Sequence, residues 1–200
     1  FVDSAGPING LVAWWKFDET NGTIAYDSSG NGNDGNLTGG PTWVTGKIGG
    51  ALSFDGVDDY VDVGDFQWGD DISIASWARY NAFHHQSRII DFGNGEHSDN
   101  IYIANHQVGN SITFSVYTTV SLGANIGVSN FWPLNEWVHF VATIDENGVM
   151  KVYKDTILKD SKTDGLKPNS IYRTKQYIGK SNWSVDSYFN GTIDELRIYD

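Results

Sequence analysis

Short stretches in which apolar and polar residues alternate, or in which aromatic and β-branched residues cluster, recur along this chain between groups of Gly, Asn and Asp. A two-residue period interrupted by turn-forming residues is the pattern of half-buried β-strands. It predicts strands at Leu11–Phe17, Ala51–Phe54, Tyr60–Val63, Ile72–Tyr80, Arg88–Phe92, Ile101–Ala104, Ile112–Tyr117, Trp137–Ile144, Met150–Lys154, Tyr177–Ile178 and Gly191–Tyr199. No window of about eleven residues or more keeps a helical period, so an all-β sandwich or barrel is expected. Alternation is strongest where Ile72, Ile74, Ser76 and Ala78 oppose Ser73, Ala75 and Trp77. Both of those faces are rather apolar, as in a strand at the middle of a two-sheet stack. On the same ground Trp14, Trp77 and Trp137, each inside an apolar run, are expected in the core. Asn147-Gly148, between Val141–Ile144 and Val149–Tyr153, is the best local hairpin signal.

Composition narrows this picture. Of 200 residues, 14% are aromatic, including eight Trp, and only 19% are charged, which supplies a sizeable core for one large β domain with no linker-like run dividing it. The 25 acidic residues comprise 20 Asp and five Glu, a balance that favours turns and oxygen-rich loops over helices. A net charge of -12 repels nucleic acid and anionic membranes. No Cys is present, so a disulfide scaffold, a thiolate metal site and a Cys nucleophile are excluded together. No apolar run approaches the roughly 20 residues that span a bilayer. The start at Phe1, without Met or a signal peptide, reads as that of a mature fragment or excised module.

Nine residues without an apolar side chain, Asp27 to Gly35 (DSSGNGNDG), need something other than packing to hold them. Gly30, Gly32 and Gly35 spell the G-x-G-x-x-G of a dinucleotide fold, but Gly39, Gly40 and Pro41 follow where a helix would have to start. Oxygen-bearing residues at alternate positions with a Gly at the bend match the start of a calcium loop. A turn stitched by its own Asn and Asp side chains explains the run equally well.

Taken in order, Leu11–Glu19 (LVAWWKFDE), the Asp27–Gly35 run, Gly46–Val63 (GKIGGALSFDGVDDYVDV), Ile72–Trp77 (ISIASW), Glu136–Tyr153 (EWVHFVATIDENGVMKVY) and Tyr177–Tyr199 (YIGKSNWSVDSYFNGTIDELRIY) resemble the laminin-G-like, concanavalin A-like lectin/glucanase jelly roll of secreted multimodular proteins. The resemblance covers nearly the whole chain. Two places depart from it: Tyr153-Lys154-Asp155-Thr156 stands where a Tyr-x-Asp-Gly turn is usual, and Phe83–Gln107 is unusually rich in His, Asn and Asp. The resemblance implies a two-sheet antiparallel β-sandwich whose first and last strands pair, bringing Asp18, the Asp27–Gly35 turn and Asp194 to one edge. A structural calcium there, held by Asp18, Asp27, Asn31, Asn33 and Asp194, follows as an expectation. Asp55, Asp58 and Asp59 form a second acidic cluster, read as a capped turn before Tyr60.

Sugar recognition needs aromatic platforms with polar groups that fix hydroxyls. Trp68, Phe83, Trp132, Trp183 and Tyr188 lie in loop-like contexts, and the segment from His84 to Gln107 supplies His84, His85, Arg88, Asp91, Asp99 and Asn100. Those eleven residues are the candidate ligand set. Catalysis lacks support: no Glu begins the Glu-x-Asp-x-x-Glu of the related glucanases, there is no Gly-x-Ser-x-Gly elbow, and His84, His85, Glu96, His97 and Asp99 lack zinc-site spacing. The expected protein is a single domain over residues 1–200, a monomeric, non-catalytic carbohydrate-binding module with structural calcium. It is expected to be extracellular, secreted or on the cell surface, and to bind a polysaccharide or other glycan. The alternative on the same fold is adhesion to a cell-surface protein, and the third reading is a polysaccharide-active enzyme that lacks the usual glucanase motif.

Overall fold

The computed structural model describes residues 9–119 and 122–200. Eighteen strands occur among the described residues: β1 Leu11–Trp15, β2 Ile24–Ala25, β3 Gly35–Thr38, β4 Thr42–Thr45, β5 Gly50–Asp55, β6 Tyr60–Asp62, β7 Phe66–Trp68, β8 Ile72–Tyr80, β9 Arg88–Gly93, β10 Ile101–Asn105, β11 Ile112–Thr119, β12 Leu122–Val128, β13 Val138–Ile144, β14 Met150–Lys154, β15 Ile157–Lys162, β16 Ile171–Arg173, β17 Lys175–Ile178 and β18 Asn190–Tyr199. The first sheet runs β15-β14-β13-β8-β18-β5-β4 and the second β12-β11-β10-β9-β17-β6-β3-β2, while β7 and β16 form a small separate pair. Every pairing within the sheets is antiparallel, as the alternating pattern requires.

The long final strand β18 organises the first sheet. β8 flanks it along one side, while its other side is shared, Asn190–Ile193 by β5 and Leu196–Tyr199 by β1. The terminal strands therefore pair antiparallel as expected, with Trp15 opposite Leu196. Where β5 gives way to β1, the ladder of β18 shifts register between Asp194 and Arg197, and Glu195 takes a left-handed backbone with φ 54. A bulge of this kind re-aims the side chains beside it.

The inner faces of the two sheets enclose a core rich in aromatic rings. Phe92 receives the edges of Trp15, Phe66 and Trp68 at centroid distances of 6.2, 6.2 and 5.9 Å. Tyr80 packs against Trp132 and Phe189 at 5.1 and 4.8 Å. Trp68 and Trp132, expected in ligand-facing loops, are instead core residues, 0% and 1% exposed. Conversely Trp14, Trp77 and Trp137, expected in the core, are half-buried on the outer face of the first sheet. The predicted strands were located correctly, but an apolar run alone does not distinguish the inner from the outer face of a sheet. Seven strands were not predicted: β2, β3, β4, β7, β12, β15 and β16. They are short or rich in Gly and polar residues, as LGANIGV in β12 and ILKDSK in β15 illustrate, and a neighbour's ladder holds them rather than their own pattern.

Candidate functional site

The outer face of the second sheet gathers polar and aromatic side chains into one register row. Asn125 lies opposite Ser115, Ser115 opposite Tyr102, Tyr102 opposite Asp91, Asp91 opposite Tyr177 and Tyr177 opposite Asp62. The neighbours of these residues along each strand, Ile101, Ile103, Phe114 and Val116 among them, point into the core. A register shift between β9 and β10 places Arg88 on the same face as Asp91, with Arg88 Nε 3.6 Å from Asp91 Oδ2.

Asp91 and Arg88 are the fixed centre of this face. Asp91 is fully buried and accepts hydrogen bonds from Asn100 Nδ2 (2.9 Å), Asn182 Nδ2 (3.0 Å) and the Asn182 backbone N–H (3.0 Å). Arg88, 4% exposed, donates to Asp186 Oδ2 at 2.7 Å and to Ser181 Oγ at 3.3 Å. Burial raises the carboxyl pKa of Asp91, and the Arg88 guanidinium and the asparagine donors oppose that rise.

Against this centre stands an aromatic wall. The guanidinium of Arg88 lies 3.7 Å from the Tyr102 ring centroid and 5.2 Å from that of Trp183. Trp183 is edge-on to His97 (5.0 Å) and to Tyr102 (5.8 Å), and Tyr117 stacks on Tyr102 at 6.2 Å. The Tyr117 ring covers Gly123, where a Cβ would come within 2.7 Å of it, so glycine keeps the ring flat on the sheet. Beside the wall is an open depression of about 350 Å³ lined by Tyr102, His106, Thr113, Ser115, Asn125 and Gly127. Arg88 Nη1, His97 Nδ1, Ser115 Oγ and Asn182 Oδ1 are buried here without a hydrogen-bond partner. Leaving such atoms unpaired costs about 1–3 kcal/mol each, but they are sealed from solvent, and the groups open to an arriving hydroxyl-bearing ligand are His106, Thr113 and Asn125 in the depression.

Of the candidate ligand residues, the fold brings Arg88, Asp91, Asn100 and Trp183 together, with His85 on the rim 3.8 Å from Asp186. Phe83 packs against Tyr80 at 5.3 Å, and the His84 carbonyl accepts from Asn105. Asp99 faces the other way, bonding Asn169 with its carboxylate and Arg173 with its carbonyl. Tyr188 joins a second aromatic group with Tyr60 and Tyr177, over which Lys180 Nζ lies at 4.2 and 4.5 Å. Sequence reasoning missed Tyr102, Tyr117, Ser115, Asn125 and Asn182. The period of two in Ile101–Ala104 and Ile112–Tyr117 was a usable signal for the first three, since it sets them opposite the isoleucines and Phe114.

The expected metal ligands fall into two groups along β1. In the first, Asp27 accepts the backbone N–H groups of Trp14, Ser29 and Asn33 and the Ser29 hydroxyl, while Asn31 and Asn33 donate to the carbonyl of Val12. This is the stitched turn, with its oxygens engaged by protein donors. Asp27→Ala is expected to cost about 2–3 kcal/mol in urea unfolding, because a charged acceptor of several N–H groups is lost, and the loss should not depend on calcium.

In the second group, Asp194 Oδ2 accepts from the backbone N–H of Lys47 and Ile48, and Asp18 Oδ1 from that of Gly50, so both carboxylates grip one turn. Asp194 is fully buried and its Oδ1 has no partner. Burial pushes its pKa up to about 6, against the lowering effect of the two N–H groups, and the charges of Glu195 and Asp18 push the same way. An unpaired buried carboxylate oxygen beside a second carboxylate is a donor set that fits a hard cation. Asp55, Asp58 and Asp59 offer one oxygen each within 4.8 Å of one another and could also hold an ion. There Asp59 caps the Asp55 N–H and Asp55 caps that of Val57, the turn geometry expected from sequence.

Comparisons with known proteins agree with this architecture. Domain 4 of AbnA, a GH43 extracellular arabinanase from Geobacillus stearothermophilus solved with arabinotriose, superposes with a TM-score of 0.75 at 26% identity, covering 95% of this chain and 92% of that one. The binding domain of Paraclostridial Mosquitocidal Protein 1 shares the fold at a TM-score of 0.67 and 17% identity, over 95% of this chain and 48% of that one. A 65-residue stretch is 29% identical to an alpha-L-arabinofuranosidase of Bifidobacterium longum subsp. longum, covering 32% of this chain and only 6% of that protein. The sequence profile of the Laminin_G_3 family matches residues 55–200, and the chain belongs to that family within the concanavalin A-like lectin/glucanases superfamily.

Proposed function

We propose that this protein is a non-catalytic carbohydrate-binding module that takes an arabinofuranose-containing oligosaccharide on the outer face of the second sheet. The observation that carries this reading is the open depression lined by His106, Thr113 and Asn125 beside the Tyr102, Tyr117 and Trp183 wall. Ring faces stack on sugar rings while fixed donors and acceptors meet hydroxyls. The arabinotriose complex of AbnA domain 4 and the arabinofuranosidase relative support arabinofuranose as the sugar. Binding without bond making is favoured because Asp91 and Asp186 both face Arg88, leaving neither free to move a proton, and among the described residues the remaining carboxylate at the wall, Glu96, lies 3.7 Å from His97 without a second carboxylate beside it in an ion pair. We place the module in a secreted or surface-displayed polypeptide, in keeping with the extracellular arabinanase it resembles. Affinity electrophoresis through gels containing arabinan or a β-glucan tests the reading. Retardation by arabinan alone is the expected result, and equal mobility in all gels would sink it.

A structural calcium at Asp194 and Asp18 belongs to the same proposal, since a cation there would neutralise the unpaired Oδ1 and lock the turn at Gly46–Gly50 against β18. Calcium at a hundredfold excess over its dissociation constant adds about 2.7 kcal/mol, or roughly 5–10 °C in melting temperature for a chain this long. Chelator is expected to remove that increment, calcium to restore it, and Asp194→Asn to abolish the response. A calcium-independent melt of the unmodified protein would rule the site out.

A further inference from the structure

The outer face of the first sheet is not covered by any strand among the described residues, and its three tryptophans lie on one diagonal. Trp14 is opposite Arg197, which is opposite Ala75, and Trp77 follows two residues along β8. Val138 is opposite Ala78, which sets Trp137 level with Arg79, two residues beyond Trp77. With strands about 4.8 Å apart and a rise of about 3.4 Å per residue, the steps are roughly 12 and 8 Å, a line of about 20 Å.

Cations accompany each ring. Lys16 and Arg197 lie 4.2 and 4.5 Å from the Trp14 ring centroid, Lys47 lies 5.0 Å from that of Trp77 and Arg79 lies 5.3 Å from that of Trp137. His139 packs on Trp77 at 5.1 Å. Three carboxylates near these rings have protein partners: Glu195 in Trp14 Nε1 and Arg197, Asp155 in the His139 N–H, and Asp194, through Oδ2 alone, in the turn at Lys47. Among the described residues Lys16, Lys47 and Arg79 form no ion pair, and Arg79 Nε is buried without a partner. The chain carries 25 acidic against 13 basic residues, so three unpaired cations on one aromatic diagonal stand out against its charge.

We infer that this diagonal is a second binding surface, separate from the arabinofuranose site, for an extended anionic polysaccharide bearing uronate groups. Sugar rings would stack along Trp14, Trp77 and Trp137, and the carboxylates would meet Lys16, Lys47 and Arg79. A glycan fits better than nucleic acid because duplex DNA carries about one charge per 1.7 Å of axis, against at most one per sugar in a uronate chain, and the remaining surface of a chain with net charge -12 repels the denser polyanion more strongly.

Polygalacturonate is the probe, with neutral arabinan beside it, at low and raised ionic strength. Retention of the protein by polygalacturonate that weakens with salt is expected, since the contact is charge-dependent. Trp77→Ala, and separately the exposed-charge pair Lys16→Glu with Lys47→Glu, should each weaken it by about tenfold or more while arabinan affinity stays unchanged. The charge pair keeps the test valid should Trp77→Ala lower the melting temperature. Absence of retention, or retention indifferent to both variants, overturns the inference, and the arabinan gels judge the other site independently.

Discussion

Trp183→Ala is expected to weaken arabinan-oligosaccharide binding by at least about thirtyfold, the loss typical of removing a well-packed aromatic anchor worth about 2 kcal/mol or more. Trp183 is held before any ligand arrives. Its ring is edge-on to His97 and Tyr102, its Nε1 donates to His97 Nε2 at 3.3 Å and its backbone N–H to Ser181 Oγ at 3.0 Å. The entropy of ordering the platform is therefore spent in folding, and stacking energy goes to affinity. Because Trp183 is half-buried on a loop and outside the core, the melting temperature should move little. Calorimetric titration with arabinotriose beside a thermal melt measures both. Binding within about threefold of the unmodified protein would show that the sugar does not use this wall.

Arg88→Met should have the largest effect on stability. It strands the carboxylate of Asp91, 0% exposed, and that of Asp186, whose side chain is 6% exposed, at a cost of about 3–5 kcal/mol. For a domain of this size that is a fall of roughly 6–20 °C in melting temperature. The sign of the pH dependence follows from Asp91. Its folded-state pKa is raised, so its contribution favours the folded protein at low pH and is lost as pH rises through that value. Without the guanidinium that opposes the rise, the pKa moves higher still. The deficit of Arg88→Met should therefore be greatest at neutral pH and shrink on acidification, as chemical denaturation at several pH values would record. A deficit that does not change with pH would mean that Arg88 acts through packing on Tyr102 and not through the buried charges.

These two residues also mark how far the chain could be read from its residues. Arg88, Asp91 and Asn100 attract attention because charged and amide groups are dense between Phe83 and Gln107, and Trp183 because a large aromatic in a Ser- and Asp-rich stretch asks for a reason. Asn182 and Asp186 fall in the same stretch, yet nothing in their types says that they close over Asp91 from 90 or more positions away. Tyr102 and Tyr117 could have been assigned to one face by period alone. That this face is open, while the opposite one is core, needs the second layer of the sandwich. The calcium expectation divides in the same way. Asp194 does meet Asp18 near the paired terminal strands, whereas Asp27, Asn31 and Asn33 spend their polar groups on the backbone of β1.

The sequence alone determined the class of the fold, because a period of two, turn residues between short apolar runs and a scarcity of Glu are local properties that leave antiparallel strands as the compact solution. That the terminal strands pair was implied by the family resemblance, and the structure shows it. Which tryptophans are buried was decided by tertiary structure. Trp68, at the end of β7, and Trp132, in the loop before β13, turn into the core, while Trp14 and Trp77 occupy outward positions of strands whose alternate residues pack inward and Trp137 stands just before β13 on the same outer face. The physical reason is that a strand offers two equivalent faces, and only docking of the second sheet makes one of them the inside.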